Sequence, residues 1–205
     1  MPPLKFFSCT KVLLGALCCL QLYVTNLQAA ELEITSMIGQ NFSPDLVSSI
    51  NTTNTLPTSD ELNYAVAIAW QDSPTGQGQV LINYISRDFT DDKDQVNHSF
   101  ETLYAHFSGV ALFREKGYVT TVGFGIGATY FNSDFDDVIY PSITAAIGTR
   151  YEFSDNLALV TELRGYATLT DTDDPLFCQT NNCVANFDST LWLDTQISIG
   201  IAYSF

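Results

Sequence analysis

Residues 191–205 read Leu191-Trp192-Leu193-Asp194-Thr195-Gln196-Ile197-Ser198-Ile199-Gly200-Ile201-Ala202-Tyr203-Ser204-Phe205, and their alternation decides the fold. Leu191, Leu193, Thr195, Ile197, Ile199, Ile201, Tyr203 and Phe205 fall on one side. Trp192, Asp194, Gln196, Ser198, Gly200, Ala202 and Ser204 fall on the other. A strict period of two, with one oily face and one mostly polar face, is the pattern of a β-strand whose two sides meet different surroundings.

Seven further segments of this kind precede it. Glu31–Phe42 sets Leu32, Ile34 and Ile38 against Glu33, Thr35, Met37 and Gly39. Glu61–Gln71 sets Leu62, Tyr64, Val66, Ile68 and Trp70 against Asn63, Ala65, Ala67 and Ala69. Gln79–Arg87 is the least regular, because Leu81 and Ile85 interrupt its polar face. After an acidic stretch from Asp88 to Ser99, the fourth turns Leu103, Ala105, Phe107, Ala111 and Phe113 outward and Tyr104, His106 and Ser108 inward. Tyr118–Phe131 alternates Val122, Phe124 and Ile126 with Gly123, Gly125 and Gly127. Tyr140–Phe153 and Leu157–Leu169 follow, the latter opposing Leu157, Leu159, Leu163 and Leu169 to Glu162, Arg164 and Tyr166.

The connections alternate long, short, long, short, long, short, long, as loops on one end of an up-and-down barrel alternate with tight turns on the other. Eight strands is the smallest number usual for barrels that cross a membrane, and closure is required there because lipid cannot satisfy an open sheet edge. The sequence therefore predicts an all-β protein, an eight-stranded antiparallel transmembrane up-and-down β-barrel. Tyr64, Trp70, Tyr84, Tyr118, Phe131, Tyr140, Phe153 and Phe205 lie near strand ends, where aromatic girdles form. The rival is a soluble lipocalin-like barrel with its greasy face inward, which would leave Glu162, Arg164 and the glycines of the fifth strand in incoherent places.

The chain has 205 residues, which suits one domain. Lys5 and Lys11, an apolar run from Val12 to Val24, and Leu27-Gln28-Ala29-Ala30 describe a secretory signal peptide over residues 1–30, cleaved before Ala30 or Glu31. Elsewhere no apolar run approaches the roughly 18 residues of a membrane helix, which excludes an ordinary helical membrane protein. Cys9, Cys18 and Cys19 belong to the signal. Cys178 and Cys183 remain and read as a local disulfide in an oxidising compartment. The formal charge of −15 repels phosphate and excludes nucleic acid as a partner.

Several stretches support a resemblance. The last eight residues, with Gly200, Tyr203 and Phe205 at its marked positions, resemble the assembly signal of bacterial outer-membrane barrels, which implies the barrel-assembly machinery as a partner. Glu31-Leu32-Glu33-Ile34-Thr35, the Gly123, Gly125, Gly127 strand, Glu162-Leu163-Arg164-Gly165-Tyr166-Ala167-Thr168, and Leu176-Phe177-Cys178 with Cys183 together resemble a family of small Gram-negative outer-membrane β-barrel proteins grouped with porins. The resemblance implies an outer-membrane location, contact with outer-membrane lipid and lipopolysaccharide, and no established activity.

Arg87, His106, Arg150, Glu152, Glu162, Arg164 and Asp194, with Glu33, are candidates for a charge cluster in the lumen. A barrel this narrow holds little beyond its own side chains, so these charges are expected to pair and plug it. A narrow passive pore for small solutes or ions along the same charges is the alternative. His106-Phe107-Ser108 resembles the His-x-Ser pair of outer-membrane lipid A deacylases, but such a serine needs a base and an orienting carboxylate, for which only Glu101 or Glu162 is available. Asp88, Asp91, Asp92 and Asp94, then Asp134, Asp136 and Asp137, then Asp171, Asp173 and Asp174 crowd the loops. They are expected to be solvated and to hold divalent cations loosely, with no dedicated metal site. The expectation is a monomeric, non-enzymatic barrel without cofactor, with a structural or surface-interaction role.

Overall fold

The alternating segments are strands whose edges all meet. A computed structural model describes residues 32–49, 53–92, 95–172, 175–179 and 182–205. The expected signal peptide lies outside the described residues, as do Asp94, Asp173 and Asp174. The long strands are Leu32–Phe42 (β1), Leu62–Ser73 (β2), Gly76–Thr90 (β3), Asn97–Arg114 (β4), Val119–Ser133 (β5), Asp137–Glu152 (β6), Leu157–Leu169 (β7) and Leu191–Ser204 (β8). They pair antiparallel in the order β1-β8-β7-β6-β5-β4-β3-β2, and β1 also pairs with β2. The sheet is a closed eight-stranded up-and-down barrel with no free edge.

The facing is the reverse of a soluble barrel. On β8, Leu193 is 53% exposed while Asp194 beside it is fully buried. Ile34, Val66, Ile82, Phe107, Ile126, Ile147 and Leu163 repeat this outward apolar display around the wall. The inward faces carry Thr35, Asn63, Asn83, Arg87, His106, Thr144, Arg164 and Gln196, all buried. The irregular third strand has a simple resolution. Leu81 and Ile85 point inward and pack with Met37, Ala65, Ala67, Tyr104 and Tyr166, an apolar patch within the polar lumen.

Two expected loops are largely strand. Asp88 pairs with Ser99 and Asn132 with Asp137, so the acidic connections shrink to residues 91–96 and 134–136. The two remaining long loops fold over the same end. Leu46–Ser48, Thr55–Leu56 and Ala185–Phe187 form a three-stranded sheet, and Cys178–Gln179 pairs with Asn182–Cys183 around the Cys178–Cys183 disulfide. Strands of two or three residues are too short for alternation to reveal them. They are held by what lies beneath, a cluster of Leu46, Leu56, Phe89, Phe100, Phe131, Leu176, Phe177, Ala185, Phe187 and Trp192. Phe131, expected in an outer girdle, is buried in this cap with Tyr140 packed against it. Both share the inward parity of their strands, and an aromatic cluster offers them more burial than the rim. Tyr64, Tyr118, Phe153 and Phe205 do face outward.

At β8's far end, Gly200 lies opposite Met37, whose Cα would stand 3.1 Å from a Cβ there. Tyr203 and Phe205 face outward with ring centroids 5.0 Å apart.

Candidate functional site

The barrel has a loop end, carrying the cap, and a turn end, where residues 74–75, 115–118 and 153–156 reverse the chain. Its inward side chains stack in layers between them.

Directly beneath the cap, β8 presents Asp194 and β3 presents Arg87, joined at 2.8 Å with no exposed side-chain surface on either. The same carboxylate accepts from the Tyr104 hydroxyl and, at 3.1 Å, from Trp192 Nε1. Arg87 also donates to Thr102 Oγ1 at 2.6 Å and, with the Asn41 amide turned to satisfy its neighbours, to the Asn41 oxygen at 2.8 Å, and its guanidinium lies 5.6 Å from the Phe100 ring centre. A buried charge is tolerated when it is paired and hydrogen-bonded, and groups from β1, β3, β4 and β8 serve this pair, with Arg87 Nε left without a hydrogen-bond partner.

The next layer is aromatic and amide. Tyr104 and Tyr166 stack with centroids 3.9 Å apart and planes 11° from parallel. Asn63 donates to Asn83 at 3.0 Å and Asn83 to Gln196 at 2.8 Å, crossing from β2 through β3 to β8. These side chains fill the cross-section. Below them Arg164 is held by Glu162 through Nε at 2.7 Å and Nη2 at 2.9 Å, and reaches Thr144 at 3.3 Å and Gln79 at 3.4 Å.

The turn end is open. Arg150 pairs with Glu33, which also accepts from Ser204 at 3.0 Å. Arg150 and Arg114 each stand 3.4 Å from Glu152. These groups line a vestibule of about 520 Å³, and a small void of about 40 Å³ continues above it to Glu162 and Arg164. Glu152, grouped by sequence with the enclosed lumen charges, is instead 46% exposed at this mouth. Its strand ends there, at the last pairing with β7 opposite Ala158, so its parity is inward but nothing covers it.

The structure thus resolves the lumen charges into three separate groups, Arg87 with Asp194, Arg164 with Glu162, and Arg150 with Glu33 and Glu152. It does not join His106 to Ser108 or to a carboxylate. His106 bonds Ser142 through Nε2 at 2.9 Å, while His106 Nδ1 and Ser108 Oγ have no hydrogen-bond partner. Glu101 faces outward and accepts from Tyr84 at 2.7 Å, and Glu162 is engaged by Arg164. The sequence does not single out Tyr104, Trp192, Asn41 and Ser142 as partners, although all four have the inward parity of their strands. Among the described residues no group of three or more His, Cys, Asp or Glu side chains could hold a metal ion. In the cap, Asn54 donates to Asp92 at 3.1 Å and His98 lies 3.9 Å from Asp134.

No protein-family model and no curated protein sequence matches the chain. Solved structures do. Neisserial surface protein A superposes with a TM-score of 0.58 at 11% identity, over 85% of this chain and 97% of that one. The outer membrane protein OprG of Pseudomonas aeruginosa gives 0.58 at 9% identity, over 86% and 96%. The outer membrane protein AlkL, determined in lipid bilayers, gives 0.54 at 13% identity, over 86% and 90%. At these identities the likeness is one of fold.

Proposed function

We propose that this chain is an integral barrel of a bacterial outer membrane, exported by its signal peptide, with the loop end outside the cell and the turn end in the periplasm. Its role is structural and surface-interacting, carried by the capped loop end, without catalysis. One observation carries this reading. Beneath the cap, the Arg87–Asp194 layer and the Tyr104–Tyr166 stack fill the lumen, which leaves the outer surface of the loops as the face available to partners. The apolar outer wall supports the membrane location, since so much exposed apolar surface is stable only against lipid.

Heat-modifiable gel migration of the purified protein tests the barrel in its membrane form, and planar-bilayer recording tests the filled lumen. We expect a shift between boiled and unboiled samples and no discrete conductance steps. Steps that change when Arg150 or Arg164 is neutralised would establish the alternative, a narrow pore. The vestibule of about 520 Å³ is the feature that favours that second reading. A lipid-modifying activity would require acyl chains to reach Ser108, which lies inside the wall. Ser108→Ala is therefore expected to leave lipid A mass unchanged. Loose contacts of the acidic loops with divalent cations and lipopolysaccharide belong to the same proposal.

A further inference from the structure

The outer wall is not evenly filled. One row of paired residues crosses four strands near the turn end: Trp70 on β2 lies opposite Gly78, Gly78 opposite Gly109, and Gly109 opposite Phe124. The Trp70 ring leans over Gly78, where a Cβ would meet it at 2.5 Å. Gly109 is different. Nothing lies within 4 Å of where its Cβ would stand, and its backbone is not in the left-handed region. Neither packing nor conformation demands glycine there, and glycine weakens a strand interior. What its absence of side chain creates is a groove of about 600 Å³, floored by Gly109 and Ala111 and walled by Trp70, Phe107 and Phe124. Trp70 and Phe107 brace one corner with centroids 5.7 Å apart.

The lower end of this groove is polar. Asp72 lines it from the bulge at the end of β2, exposed and without an ion-pair partner among the described residues. An unpaired carboxylate at the foot of an apolar groove complements an ammonium carried above an acyl chain. We propose that this groove binds one phospholipid of the periplasmic leaflet, its acyl chain against Gly109 and its amine-bearing headgroup against Asp72. The site rests on the outer-membrane reading above, which supplies both the leaflet and the lipid.

The protein carries its own reporter. Trp70 and Trp192 are its only tryptophans, and Trp192 is buried in the lumen. The full chain, purified from membranes of the expressing cell, is reconstituted in phosphatidylcholine vesicles containing a small fraction of dibrominated phosphatidylethanolamine or dibrominated phosphatidylcholine. Bromine quenches tryptophan on contact. The brominated amine lipid is expected to quench about threefold more effectively than the brominated choline lipid, the scale of a single exposed ion pair. Asp72→Asn brings that ratio to one. Gly109→Leu, which fills open space, lowers quenching by both lipids while the heat-dependent gel shift is retained. Equal quenching by both lipids, unchanged in either variant, overturns the site while leaving the membrane barrel intact. Trp70 shielded from both lipids in a sedimenting dimer overturns it in favour of a second copy. No quenching by either lipid, with no gel shift, removes the membrane reading and this site with it.

Discussion

At the loop end Arg87 and Asp194 bury their side chains completely, whereas at the turn end Arg150 and Glu33 keep 13% and 9% of theirs exposed and Arg114 and Glu152 keep 51% and 46%. The chemistry is the same in all three pairs, a guanidinium against a carboxylate. The surroundings differ. Asp194 accepts from Arg87, Tyr104 and Trp192 beneath ten packed apolar residues, while Glu152 stands at the edge of a wet vestibule. Burial raises the cost of leaving a charge unpaired far more than it raises the net worth of pairing it. One barrel therefore contains a graded series in which the same bond goes from indispensable to nearly free.

Removing one partner at the buried end should break the comparison most severely. Asp194→Ala leaves Arg87 charged, enclosed and without its counter-ion, and strips the acceptor from Tyr104 and Trp192. A loss of about 3–5 kcal/mol is expected, read as a fall in the urea midpoint of the reconstituted barrel. Replacing both partners, Arg87→Met with Asp194→Leu, should cost less than Asp194→Ala alone. A double variant worse than the single one would mean that the pair itself, and not its orphaned half, holds the layer together.

The cap comes second. Phe177 meets Phe89, Phe100 and Phe187 at centroid distances of 5.5, 5.5 and 5.7 Å, from a short helical turn in the last loop. Phe177→Ala should cost about 3 kcal/mol by cavity formation. Because the cap's short strands pair with one another and not with the barrel sheet, the loss should appear as faster amide exchange in Ala185–Phe187, with β8 unchanged. Cys178→Ser acts on the same unit more gently. Opening so short a loop should cost about 2 kcal/mol of cap stability, and reductant on the native protein should reproduce it.

The barrel was legible and the cap was not, for a physical reason. Period-two alternation persists over the long strands and needs no partner to be recognised, so residues 191–205 announce both strand and facing. The cap depends on contacts between Leu46, Leu56, Phe177 and Phe187, far apart in sequence and carried by pieces too short to show a period. Phe131 and Tyr140 show where position misled and parity would have served. Their place near strand ends suggested a girdle, yet each lies in step with the inward residues of its own strand. The lumen charges were legible as a set because they too follow parity. Arg164 meets Glu162 two residues away on its own strand. Arg87 reaches Asp194 and Arg150 reaches Glu33 across the lumen, between strands that do not pair, so those partners depend on how the barrel closes. Ser198 opposite Glu162 and Gln196 opposite Arg164 are facts of pairing that no single strand contains.

The turn end supplies the smallest effects and the clearest check on the cause. Glu33→Gln removes the charge that Arg150 and Ser204 both address, and with so little solvent around it should cost about 1.5 kcal/mol. Glu152→Gln removes a charge from a solvated mouth, where Arg150 keeps Glu33 in any case, and should cost under about 0.5 kcal/mol. Salt then separates solvation from geometry. At about 1 M ionic strength the screening length falls to roughly 3 Å, shorter than the 3.4 Å between Glu152 and Arg114 or Arg150, and the Glu152→Gln effect should vanish. The Asp194→Ala loss should stand, because no counter-ion reaches a pair with no exposed surface. If both losses faded alike in salt, water and ions would be reaching Asp194, and the closed layer beneath the cap would have to be open.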